Sequence, residues 1–304
     1  MKCRTCGTKA VVNMRQHKLA LCKEHYLEWL PQQVDRFIKK YQMFSEFDRL
    51  LLAVSGGKDS LALWDILVEL GYQVDGIYIN LGIGSDNGYS DISLKKIEEF
   101  TDTRNLKLHV FSLYKEYGET IINISQRTNR GKKRTCSVCG LAKRHVLNMV
   151  ARKHQYDVLV TGHNLDDEAA TLFGNTLHWA EEFLLRQAPV LKAYGGFVRK
   201  VKPLCRFYEK EMAAYAILKG IEYIYDECPF SVGSTSIYYK QQLNLLEHNN
   251  PGEKLRFYIH FLKAKENGLF SPIDTIQQSL YDCSECGQPT SSTDLCSFCK
   301  MMTH

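Results

Sequence analysis

From Arg49 to Thr161 the spacing of apolar residues switches repeatedly between short continuous runs and a helical repeat. The runs at 50–54, 74–80, 107–112 and 157–161 are rich in aliphatic and aromatic residues, which predicts strands. Between them, residues 60–70, 93–104 and 141–154 repeat their apolar positions as one face of a helix. Strand alternating with helix builds βαβ units and a parallel sheet, with ligands expected beyond the carboxyl ends of the strands. Upstream, Leu27, Leu30, Val34, Phe37, Ile38 and Tyr41 predict a helix over 26–41 that packs on this core. Downstream, helices are predicted over 168–177, over 209–219 with Gly220 as its stop, over 236–247, and over 253–265 after the Pro251-Gly252 break.

Composition narrows the class. A chain of 304 residues accommodates one full α/β domain with small appendages. No apolar stretch reaches the ~18–20 residues of a membrane span, and Met1-Lys2-Cys3-Arg4-Thr5-Cys6 lacks a signal-peptide apolar region, so a cytoplasmic, membrane-free protein is expected. The net charge of +5 is too mild to indicate a nucleic-acid partner by itself. Eleven cysteines, most of them in Cys-x-x-Cys pairs, favour metal binding over a disulfide framework in such a protein.

The cysteines fall into three sets. Cys3-x2-Cys6 followed by Cys22-x2-His25 reads as a closed four-donor zinc ribbon, and Cys283-x2-Cys286 followed by Cys296-x2-Cys299 reads as a second. Gly7 and Gly287 follow a pair where each ribbon must turn tightly. A complete donor set leaves no open position for catalysis, so both are expected to be structural. The middle set differs, because Cys136-x2-Cys139 has no second pair nearby. With one distant cysteine it makes three ligands, enough for a [4Fe–4S] cluster with one iron open, whereas a redox dithiol is the competing reading. Cys228, beside Pro229 in an irregular stretch, is favoured over Cys205 as the third ligand. The pair is expected just ahead of the helix at 141–153, beside Lys132, Lys133 and Arg134, where thiolate is favoured over thiol.

Ser55-Gly56-Gly57-Lys58-Asp59-Ser60 joins the first strand to the first helix of the alternating region. Two glycines, a helix amino end and a lysine form a phosphate cradle, without the spacing of a Walker A loop. It is similar to the PP-loop of ATP pyrophosphatases, which implies cleavage of ATP between the α and β phosphates. After the strand ending at Thr161 comes Gly162-His163-Asn164-Leu165-Asp166-Asp167-Glu168, also at a strand end. Three adjacent acids call for a neutralising cation, and ATP-bound Mg²⁺ is the expected one. Lys143, one turn after Cys139, is placed to reach the α-phosphate. Basic runs at 127–134 and 198–202, with Arg206 behind, would draw a polyanion toward these groups.

Taken together, these motifs make the chain resemble the TtuA-type tRNA 2-thiouridine synthetases of the TtcA/TtuA group of PP-loop enzymes. The resemblance runs over essentially the whole length and includes Lys202-Pro203-Leu204, Tyr208-Glu209-Lys210-Glu211 and Leu246-Glu247 before Pro251-Gly252. The TtcA branch lacks paired terminal ribbons and is the poorer match. The implied architecture is an α/β PP-loop domain over 31–270, similar to adenine nucleotide alpha hydrolases, between zinc ribbons at 1–30 and 271–304. The resemblance further implies that Cys136, Cys139 and Cys228 hold the cluster and that Ala53, Ser55–Ser60, Ile79, Lys143, Gly162 and His163 bind ATP. Asp167, with Asp166 as its rival, becomes the catalytic acid. Implied partners are tRNA, a ubiquitin-like carrier with a C-terminal thiocarboxylate, and a second copy of the chain. The implied activity is ATP-dependent replacement of O2 by sulfur in a tRNA uridine at position 54, with wobble-uridine thiolases sharing much of the pattern. An adenylating ligase that uses nitrogen would leave the central cysteines without a task. A non-catalytic tRNA-binding zinc protein would release no pyrophosphate from ATP.

Overall fold

The computed structural model describes residues 1–84, 88–128, 135–231, 233–270 and 280–303. Its centre is a six-stranded sheet. The strands are β3 (Leu50–Val54), β4 (Val74–Asn80), β5 (Leu108–Ser112), β6 (Val158–Thr161), β7 (Val190–Leu191) and β8 (Arg199–Val201), in the order β5-β4-β3-β6-β8-β7. All neighbours are parallel except β7 and β8. Leu50, Leu52 and Leu51 are fully buried, as a central strand covered on both faces requires.

The two faces carry different helices. Alternation along β3 sends Leu50, Leu52 and Val54 toward α1 (Lys23–Lys40), α2 (Lys58–Glu69), α3 (Tyr89–Asp102) and α9 (Glu209–Lys219). Leu51, Ile77 and Leu159 point instead at α6 (Thr135–Lys153), with the short helices α4 (Leu113–Tyr117) and α5 (Ile121–Arg127) on the same side. The chain therefore changes face in running from β5 through α6 to β6, and β3 and β6 flank the switch point where such sheets bind ligands. Beyond β6, α7 (Leu165–Leu177) and α8 (Glu181–Arg186) precede β7. Two further helices, α10 (Thr235–Asn249) and α11 (Glu253–Glu266), pack on α7.

The N-terminal ribbon consists of β1 (Val12–Met14) and β2 (Leu19–Leu21) and runs without a break into α1, whose N-cap is Cys22. Position 30 lies inside that helix, so ribbon and central layer share Tyr26, Leu30, Val34 and Ile38, all fully buried. Each such side chain stabilises the fold by about 2 kcal/mol. The C-terminal ribbon, β9 (Tyr281–Asp282), β10 (Pro289–Thr290) and α12 (Ser297–Thr303), sits on the opposite face against α6.

Two helix starts differ from expectation. The helix predicted from 141 begins at Thr135, so Cys136 and Cys139 lie within its opening turns rather than ahead of it. They share one face, as residues three apart do. Lys132, Lys133 and Arg134 lie outside the described residues, as does Arg130. The helix predicted from 168 begins at Leu165, capped by an Asn164–Asp167 capping box, which places the acids in its first turn. The strands β7 and β8 carry no apolar repeat, and periodicity passes over them.

Candidate active site at the strand ends

Ser55, Gly56 and Gly57 turn the chain from β3 into α2. Gly56 has φ +78°, and a Cβ there would sit 2.9 Å from the Ser93 carbonyl oxygen, so the turn requires glycine. The Ser60 hydroxyl braces the loop, accepting from the Ser55 amide at 3.2 Å and donating to the Gly57 carbonyl at 3.0 Å. Gly57 is the N-cap of α2 and offers no side-chain acceptor, which leaves amides of the first turn free for an anion. Gly162, after β6, lets the chain pass close to this turn: a Cβ there would lie 3.1 Å from Ser60 Cα.

A cavity of about 480 Å³ opens at this point, lined by Ala53, Ser55, Asp59, Ser60, Ile79, Lys143, Gly162, His163 and Asp167. Its wall is apolar at Ile77 and Ile79 of β4 and at Leu81 and Ile83 just after it, and basic at Lys143 and Arg144 of α6 and Lys200 of β8. Such a mixed lining suits a molecule with an apolar ring and phosphates. Lys58 is not among its walls. Its ammonium reaches Glu209 at 2.7 Å and Asp59 at 3.2 Å, and it lines a neighbouring cavity of about 610 Å³ together with Asp166. Burial works against the Lys58 charge, but Asp59 and Glu209 outweigh it and hold its pKa above the ordinary lysine value. Burial pushes Asp59 up, with Lys58 and the Asn164 amide pulling the other way. Burial also lowers the pKa of His163, with Asp167 opposing it.

The three acids after β6 are neutralised differently from expectation. Each has a protein lysine: Asp166 pairs with Lys254 at 2.5 Å, Asp167 with Lys240 at 2.6 Å and Glu168 with Lys202 at 2.8 Å. Neutralisation of this acid cluster is thus met from within the fold. The Asp166–Lys254 pair is buried, and removing one partner of such a pair costs about 3–5 kcal/mol. Asp166 is committed to that role and also accepts from the Glu209 amide at 2.8 Å, whereas Asp167 faces the cavity. Lys240, Lys254 and Glu209 complete this ring of charges, and no spacing in the sequence marks the two lysines for it.

At the edge of the cavity α6 brings Cys136 and Cys139 toward the loop that carries Cys228. The Cys136 thiol donates to the Phe230 carbonyl at 3.3 Å. Burial raises the pKa of Cys139, Lys143 opposes it, and the charges of Cys228 and Cys136 add to the rise, which places the three thiols within electrostatic reach. Cys205 lies elsewhere, fully buried, with its thiol pushed up to about 12 by burial.

The terminal sets fit a single ion. Cys3, Cys6, Cys22 and His25 form one group and Cys283, Cys286, Cys296 and Cys299 the other, each with all donor atoms within 4.8 Å. The Cys6–Cys22 and Cys286–Cys296 sulfur separations are both 3.8 Å, the edge of a zinc–thiolate tetrahedron. In the absence of an ion, backbone amides outweigh burial and bring the Cys3 and Cys283 thiols down to about 6, whereas burial pushes Cys286 up to about 11 and raises Cys299 as well.

Residues 28–232 match the model of the PP-loop domain, the class that this sheet, turn and cavity define. Residues 2–27 match the N-terminal LIM domain of the 2-thiouridine synthetase TtuA. The chain belongs to the TtuA family of PP-loop 2-thiouridine synthetases. It is 45% identical over 99% of its length to the tRNA-5-methyluridine(54) 2-sulfurtransferase of Thermus thermophilus, covering 91% of that protein. The protein of that name from Thermotoga maritima is 41% identical, with 99% and 96% covered. Among solved structures, the U34-tRNA thiolase NcsA of Methanococcus maripaludis with its [4Fe-4S] cluster superposes with a TM-score of 0.76 at 26% identity, over 88% of each chain.

Proposed function

We propose that this protein is an ATP-dependent tRNA-uridine 2-sulfurtransferase, acting on uridine 54 and often on its 5-methyl form. The observation that carries the reading is that a single helix, α6, sends Cys136 and Cys139 toward Cys228 and Lys143 into the cavity beside the PP-loop. ATP binds with its base at the apolar end and its pyrophosphate on the open amides after Gly57. Uridine O2 attacks the α-phosphorus, and pyrophosphate leaves. Adenylation turns O2 into part of a good leaving group: sulfur at the sulfide level, as hydrosulfide, attacks C2, the C2–O2 bond breaks, AMP departs with that oxygen and the sulfur's proton is lost or passed to N3. Lys143 neutralises charge that builds on the α-phosphoryl group, and Asp167 positions Mg²⁺ or takes a proton. Lys58 balances the pyrophosphate once it leaves Glu209. A [4Fe–4S] cluster on Cys136, Cys139 and Cys228 would supply an open iron able to carry sulfur. The two terminal sets would each hold a structural zinc, fixing the ribbons to the core.

Position 54 is preferred because the 41% and 45% identical relatives carry that position in their names. The likeness to a U34 thiolase supports the wobble position as the second reading. Mapping the 2-thiouridine in tRNA from a deletion strain separates the two. Among the described residues no helix is long and apolar enough to cross a membrane, and a 30% identical Drosophila willistoni relative is named a cytoplasmic tRNA 2-thiolation protein, in keeping with a cytoplasmic site of action. A homodimer would cover the exposed Leu177, Tyr238, Leu245 and Leu246 around the α7–α10 groove. The thiocarboxylated carrier rests on family resemblance. In the decisive test, Cys136→Ala abolishes the brown cluster absorbance and thiolation while ATP binding persists. Thiolation by an iron-free variant would sink the cluster's role.

A further inference from the structure

One basic residue of the cavity wall, Lys200, has no part in the proposed reaction. Lys200 lies in β8, opposite Leu159 of β6, and Leu159 pairs in turn with Leu51 of β3. Leu159 and Leu51 face α6 and are buried in the apolar cluster there, and Asp75 of β4 follows them in the row. A lysine is an expensive residue there. Two residues on, Lys202 is neutralised by Glu168 at 2.8 Å, but the Lys200 side chain makes no hydrogen bond or ion pair with any described residue. Its side chain lines the cavity.

We infer that Lys200 is a phosphate-binding residue of the reaction cavity, holding the nucleotide's α-phosphoryl oxygens from the side opposite the PP-loop. This rests on the nucleotide reading of the cavity. The placement favours the nucleotide over an RNA backbone phosphate. Lys200 is level with Leu159, two residues below the carboxyl end of β6 at Thr161, so it rises from the floor of the cavity. An RNA strand would run along the rim, above the strand ends, whereas a nucleotide seated on the turn after β3 reaches the floor.

The surroundings make this charge responsive to a ligand. Burial, then Lys202 and Arg144, lower the Lys200 pKa to about 8, with Glu168 opposing them. His163 and Lys143 face the same space, from the β6–α7 loop and α6. A bound phosphate favours the protonated form, so the empty site binds a proton together with its ligand above pH 8. His163 titrates below its ordinary value and does not contribute in that range.

The test uses the full-length protein, α,β-methylene-ATP with Mg²⁺ as the probe, and calorimetric titration between pH 6.5 and 9.5. Wild type is expected to lose affinity above pH 8, by up to about ten-fold per pH unit, as one proton must be taken up. Lys200→Met should bind about ten-fold more weakly at pH 7 and lose that slope, while its empty form melts at or above the wild-type temperature. Lys200→Arg should keep affinity and flatten the slope, which retains a readout if the methionine variant fails to fold. Wild-type affinity and slope in both variants would overturn the inference. So would normal probe binding by Lys200→Met with weakened tRNA binding, which would assign the lysine to RNA. Failure of wild type to bind the probe at all would instead reject the nucleotide reading itself.

Discussion

The two terminal ribbons present similar donor sets to opposite faces of one sheet, but they are fastened in different ways. The N-terminal ribbon is continuous with the core. Cys22 caps α1, Met14 and Leu21 join the main apolar cluster, and the Tyr26 hydroxyl, Gln16 and His17 all converge on buried Glu211 of α9. The C-terminal ribbon joins the smaller apolar cluster through Phe298 and Met301 and is separate in sequence from the helices it packs on, to which side chains of α5 and α6 tie it. Asn148 donates to Gln288 at 2.6 Å and to Gly196, Arg152 to the Gly287 carbonyl at 2.9 Å, and Arg127 to the carbonyls of Met301 and Met302. His145 stacks on Phe298 at 4.0 Å. His145, Asn148 and Arg152 lie at helical spacing on α6, the helix that also carries Cys136, Cys139 and Lys143. One ribbon thus supports the fold as a whole, and the other steadies the helix that bears the candidate chemistry.

This contrast can be broken by experiment. Cys22→Ser should have the largest effect on stability, on the order of 4 kcal/mol in urea unfolding, because it opens the metal site at the start of α1. Cys296→Ser should cost clearly less in the same assay, yet reduce cluster retention and thiolation while probe binding at the PP-loop persists. Equal losses of stability in the two variants would show that the ribbons are fastened alike. Asn148→Ala should be the mildest, about 2 kcal/mol, since it leaves the buried Gln288 amide without its partner but keeps all four cysteines. Zinc content by mass spectrometry should remain unchanged in that variant, and a loss of zinc would tie Asn148 to the metal itself.

Much of the fold is legible along the chain. The bounds of β3, β4 and α9 follow residue by residue from periodicity and from Gly220, because these elements bury regular faces and end at strong stop signals. The start of α6 does not, because Thr135, Cys136 and Ser137 are polar or small and show no apolar repeat. β8 is missed for a related reason: Arg199-Lys200-Val201 is too short and too basic to signal a buried strand. The acids after β6 were read as needing Mg²⁺, yet their lysines come from 34, 73 and 88 residues further along. Pairing across such distances leaves no local trace.

The sequence by itself determined the chemical inventory: a glycine turn that leaves amides open, two complete four-donor sets, and three cysteines left over. Spacing can do this because metal geometry and phosphate cradles act over a few residues. Only the tertiary structure decided which charges are spent and which remain. Folding turned Lys58 toward Glu209, matched a lysine to each acid after β6, and left the Lys200 side chain in the cavity wall without a partner among the described residues. Charge pairing depends on distance in space and on burial, and neither can be read from order along the chain.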